Sequence, residues 1–112
     1  GDRASYLDFI ARNSAFHRQI AIAAHNERLL GLIRQLHDES TRIFHLGLIK
    51  EENVSLMREE HRRIAHAIQA RDADRAAALV HDHIARTEQR VLGALASHFG
   101  VRPPRDPADT LP

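Results

Sequence analysis

Apolar residues recur three and four apart over almost the whole of this chain, and all four of its prolines fall after residue 100. Side chains at those steps share one face of an α-helix, whereas strands would alternate. The expected fold is therefore all-α, an antiparallel helical bundle. Leu7, Phe9, Ile10, Phe16, Ile20 and Ala24 trace a first helix over residues 2–24. Asn26 can cap a second, reaching to about Ile49 with Leu29, Ile33, Leu36, Ile43, Phe44 and Leu48 inward and Gly47 as a weak point. The polar run 50–53 interrupts the pattern. A third helix is expected from about Ser55 to Ala70, capped by Asn53 or Ser55, with Met57, Ile64 and Ile68 inward. Asp72 can cap a fourth, which carries Leu79, Val80, Ile84, Val91, Leu92 and Leu95 until Gly100 stops it after Phe99. Residues 1–100 are thus expected to form one helical domain, and 101–112 an extended or disordered proline-rich tail.

A length of 112 residues suits a single core. Sixteen basic against fifteen acidic residues leave a net charge of +1, which gives no global field for nucleic acid or an anionic membrane. No apolar run reaches the roughly 18 to 20 residues of a membrane span, and no charged-then-apolar leader opens the chain. A cytoplasmic protein is expected. Cysteine is absent, so any metal here is bound through nitrogen and oxygen. Nine histidines are present, an excess that points to such a site.

Helical phasing turns three of these histidines inward from three helices. His17 shares a face with Asn13, Ile20 and Ala21. His61 lies between Met57 and Ile64, and His83 between Leu79 with Val80 and Thr87. A buried imidazole without a partner costs roughly 1 to 3 kcal/mol, so three facing one interior call for a shared solution. A divalent cation such as zinc or nickel supplies one, and three protein ligands leave a position open for water or a ligand. Each ring could instead be a core residue bonded to a backbone carbonyl or water. The remaining histidines are weaker candidates. His66 is flanked by Arg62 and Arg63, His25 and His98 lie at helix ends, and His81 sits about 200° around the helix from His83. His37, with Ile33, Thr41 and Phe44 on its face, is a candidate ligand or lining residue.

The segments Asn13-Ser14-Ala15-Phe16-His17, Ala24-His25-Asn26-Glu27-Arg28-Leu29, Glu59-Glu60-His61-Arg62-Arg63-Ile64 and Ala67-Ile68-Gln69-Ala70-Arg71-Asp72, followed by His83, carry a family resemblance. Over about residues 2 to 95 the chain resembles the FCD domain, the C-terminal effector-binding and dimerisation domain of one branch of the GntR-type bacterial transcription regulators. The gaps of 44 residues from His17 to His61 and 22 from His61 to His83 match the spacing of that family's metal site. The resemblance implies that the first one or two helices of the family fold are missing here. It likewise implies that DNA is reached only through an N-terminal winged helix-turn-helix lying outside this chain.

In that family an Asp stands one turn before the first His, where this chain has Asn13. The resemblance therefore makes Asn13 a fourth ligand, but an uncharged one, and the metal is expected to be bound more weakly, to differ or to be absent. It also implies a non-enzymatic role: a homodimer that senses a small carboxylate metabolite, held by the metal and by nearby cations. Arg42 and Arg34, with His37, are the candidates, since a guanidinium matches a carboxylate bidentately. Two alternatives remain. One is a hemerythrin-like or other metal-dependent bundle enzyme, although Glu59, Glu60 and Asp82 adjoin the histidines in sequence instead of sharing their faces. The other is a metal-free dimerisation module. With unperturbed imidazoles, protons would displace the metal as the pH falls through about 6 to 5.

Overall fold

A computed structural model describes residues 3–47 and 49–100. Among them four helices follow one another: α1 (Arg3–Ala23), α2 (Glu27–His45), α3 (Glu51–Gln69) and α4 (Ala73–Phe99), an all-α bundle. The expected tail at 101–112 and Leu48 lie outside the described residues.

Two tight reversals of similar design build the bundle. After α1, His25 takes a left-handed φ of 53°, and the next residue, Asn26, caps α2 by accepting the Leu29 N–H at 2.9 Å. After α3, Arg71 takes φ 55°, and Asp72 caps α4 through the Arg75 N–H at 3.0 Å. The Arg71 and Asp72 amides also return to the carbonyls of Ile68 and Ala67, which satisfies acceptors that the helix end would otherwise leave free. Gly100, at φ 66°, ends α4 as expected.

The stretch between α2 and α3 departs from the sequence reading. Gly47 adopts φ 73°, and α2 stops at His45 instead of continuing to Ile49. The third helix starts at Glu51, four residues early, with Lys50 at its cap position and neither Asn53 nor Ser55 capping it. Glu51 and Glu52 thereby occupy the first turn, where the helix dipole favours negative charge.

Packing pairs α1 with α2 and α3 with α4, and the two pairs meet through α1 and α3. Phe9, Ile10, Phe44, Ile49, Val54 and Met57 form the core beneath this junction. The Tyr6 hydroxyl donates to the Phe44 carbonyl at 2.6 Å, adding a side-chain bond to the one that carbonyl accepts from the Gly47 amide and tying α1 to the end of α2. By contrast, α2 and α4 do not approach each other. Leu36 at 61% and Ile84 at 58% exposure, with Ile43 and Leu92, were expected inside but line this open side, and Leu29, also expected inside, is exposed. Leu7 and Ile68 are exposed as well. Periodicity identified the apolar faces correctly, but among the described residues no helix covers them.

A candidate metal centre

The junction of the two helix pairs brings the three phased histidines together. His17 comes from α1, His61 from α3 and His83 from α4, and one ring nitrogen from each lies within 4.8 Å of the others. Nε2 of His61 and Nε2 of His83 are 3.1 Å apart. Two ligands at about 2.1 Å from one ion, at angles between a right angle and a tetrahedral one, would lie roughly 3.0 to 3.4 Å apart. The pair is therefore already spaced for a shared cation. Phe16 stacks on the His61 ring at 4.3 Å and His37 on the His17 ring at 4.6 Å, bracing both from outside.

Asn13 lies one turn before His17 and is only 4% exposed, and its Oδ1 has no hydrogen-bond partner among the described residues. An orphaned buried carbonyl oxygen costs about 1 to 3 kcal/mol, a cost that a cation beside it would remove. Three imidazoles and one amide oxygen form a neutral donor set suited to borderline divalent ions. The residues present fit a metal.

Electrostatics keeps these rings available. Burial pushes the His17 imidazole down to about 3, and the neighbouring His37, His61 and His83 add to the shift. Burial also pushes His61 down to about 4, with His83 adding and Glu60 opposing. His37 is lowered too, chiefly by burial. At neutral pH these rings carry a free lone pair. Proton competition is therefore expected well below the range of 6 to 5 that unperturbed imidazole implied.

Behind His83 stands a carboxylate that the sequence reading set aside. Glu60 Oε1 lies 2.7 Å from His83 Nδ1, and Arg90 donates to both Glu60 oxygens, at 2.9 and 2.6 Å. Burial alone would raise the Glu60 carboxyl, but the hydrogen bonds and charges of Arg90 and His83 outweigh it and hold Glu60 down at about 2. Glu60 is off the ligand face of its own helix and for that reason faces α4. Arg90 follows His83 by seven residues, two turns along one face, and that spacing was the available signal.

Two larger clefts reach the cluster. One, of about 470 Å³, opens between α2 and α4 with mostly apolar walls, and Asn13, His17, His37 and His83 contribute to it. The other, of about 500 Å³, lies between α1 and α3, where Asn13 and His61 meet Arg12, Arg58 and Arg62. Arg34 shares a small pocket with His37, Arg18 and Asp38. Arg42 is exposed and lines none of these three. His66 is exposed on the outer face of α3.

The FCD domain family model matches residues 1–86, a span that contains all three clustered histidines and Asn13. No curated protein and no solved structure matches the chain significantly. The chain belongs to the FCD domain family, the C-terminal domain of GntR-family regulators.

Proposed function

We propose that this domain binds a divalent cation through His17, His61, His83 and Asn13, and uses it to sense a small carboxylate metabolite. The observation that carries the reading is the convergence of three ring nitrogens from three helices beside a buried Asn13 Oδ1 that has no hydrogen-bond partner among the described residues. The bound cation would act as a Lewis acid for one carboxylate oxygen. His37, at the edge of the α2–α4 cleft, and Arg34, which shares a pocket with it, are proposed to receive the rest of the ligand. Apolar walls suit a short hydrocarbon body. Arg42, exposed and away from the clefts, has less support.

Family membership extends the reading. The cluster ties α1 to α3 and α4, so a ligand there biases how the two helix pairs sit. In a homodimer that change would reset the spacing of two DNA-reading winged helix-turn-helix domains carried outside these 112 residues. The exposed Leu36, Ile84 and Leu92 offer apolar surface for such association. No described helix is long and apolar enough to cross a membrane, and regulation of DNA places the proposed role in the cytoplasm. Sensing, not catalysis, is the proposed activity.

The test is thermal unfolding with zinc or nickel, alone and with a panel of small hydroxy- and dicarboxylates. Carboxylates are expected to raise the Tm of metal-loaded protein and leave chelated protein unchanged. Equal effects on loaded and chelated protein would overturn the proposal.

A further inference from the structure

We propose that Glu60, clamped by Arg90, is a positioning residue that sets the tautomer of His83 and so aims its Nε2 lone pair into the histidine cluster. The Glu60 carboxylate accepts two hydrogen bonds from the Arg90 guanidinium, one on each oxygen, at 2.9 and 2.6 Å. A proton on either oxygen would face an N–H donor, so the group is an ionised acceptor. Its Oε1 lies 2.7 Å from His83 Nδ1. An acceptor at that distance requires a proton on Nδ1, and in the neutral ring that leaves Nε2 bare. That Nε2 is the atom 3.1 Å from His61 Nε2.

Burial makes the arrangement stringent. His83 is 3% exposed, and the Glu60 and Arg90 side chains are each 12% exposed, so water competes little for these bonds. The three residues also link α3 to α4 beside the cluster, because Glu60 is the chain neighbour of His61 while Arg90 lies two turns beyond His83. One carboxylate thereby orients a ring from the opposite helix and is itself held from that helix.

A consequence for His61 follows. With His83 Nε2 bare, the close contact is a hydrogen bond only if His61 Nε2 carries a proton and donates it. In that case metal-free His61 is the Nε2–H tautomer, and coordination through Nε2 would require the tautomer with its proton on Nδ1. His83 needs no such change. The inference deepens the metal-site reading and rests on it for its effect on affinity, whereas the tautomer assignment stands on the Glu60 and Arg90 geometry.

The experiment is a long-range proton–nitrogen correlation on histidine-labelled, metal-free protein at neutral pH, paired with calorimetric zinc titration. In the unsubstituted protein His83 is expected to be protonated on Nδ1 alone and His61 on Nε2. Glu60→Gln offers Arg90 and His83 only one acceptor oxygen, so mixed His83 tautomers are expected and a zinc Kd weakened about 10- to 100-fold. Arg90→Lys, which keeps the carboxylate, should preserve the His83 tautomer, and Glu59→Gln, on the exposed neighbour, should change neither readout. His83 protonated on Nε2, or on both nitrogens, in the unsubstituted protein would overturn the proposal. So would a folded Glu60→Gln protein with unchanged tautomer and unchanged Kd. If His83 is Nδ1-protonated but zinc does not bind, the positioning role of Glu60 stands and the metal reading falls.

Discussion

Acid should weaken this domain well before its carboxylates titrate. Burial pushes His17 to about 3 and His61 to about 4, against an ordinary imidazole value of 6.5. The unfolded chain therefore binds more protons than the folded one, and stability falls as the pH drops. The loss begins near 6.5 and continues until the folded values are reached. At pH 5 both folded rings are still neutral, so the loss depends only on the gap of about 1.5 units between that pH and the unfolded value. At about 1.4 kcal/mol per unit, His17 loses about 2 kcal/mol; His61 is less deeply buried and solvent screening discounts its share, so the two together lose about 2 to 4 kcal/mol. His37, shifted in the same direction, adds to this. Glu60 does not contribute here, since its stabilisation is complete above the ordinary value of 4.5 and is lost only as the pH falls from there through about 2. Urea unfolding of chelated protein at about pH 7.5 and 5.0 reads the difference directly. A loss of about 2 to 4 kcal/mol is expected, a large fraction of the stability of a typical domain. His61→Gln should remove part of the loss, and His66→Gln, on an exposed side chain, should leave it whole. Equal unfolding free energies at the two pH values would refute the burial argument, as would His17→Gln and His61→Gln variants that each retain the full loss.

Other outcomes follow from particular residues. Arg71→Gly should stabilise the fold by about 1 kcal/mol, because a side chain at its φ of 55° is strained and glycine is not, and chemical denaturation would show it. Asp72→Ala should cost about 1 kcal/mol through loss of the cap to the Arg75 amide, read by the same assay. Asn13→Asp should tighten zinc binding in a calorimetric titration by adding a negative charge at the orphaned oxygen; weaker binding would remove residue 13 from the ligand set. Saturation with zinc at a hundredfold excess over Kd should add about 2.7 kcal/mol, an increment abolished by His61→Ala and kept by His66→Ala.

Local chemistry was legible in the sequence and relative placement was not. Asn26, Asp72 and Gly100 act within one turn of themselves, so their roles as caps and stop could be read directly. The segment around 47–53 was misread because Glu51, Glu52 and Asn53 look like loop residues. As a helix start, Glu51 and Glu52 instead satisfy the dipole. The inward phasing of His17, His61 and His83 followed from helical steps alone. The pairing of Glu60 with His83 and Arg90 did not, since it depends on how α3 is rotated against α4. Leu36 and Ile84 show the same limit: a period of 3.6 identifies an apolar face and says nothing of what covers it.

Anomalous diffraction from zinc-loaded crystals would locate the one cation proposed to sit among the three helices. A single peak about 2.0 to 2.2 Å from a ring nitrogen of each of His17, His61 and His83, with Asn13 Oδ1 turned toward it, is expected. Zinc bound elsewhere, or no peak between these rings at saturating metal, would contradict it.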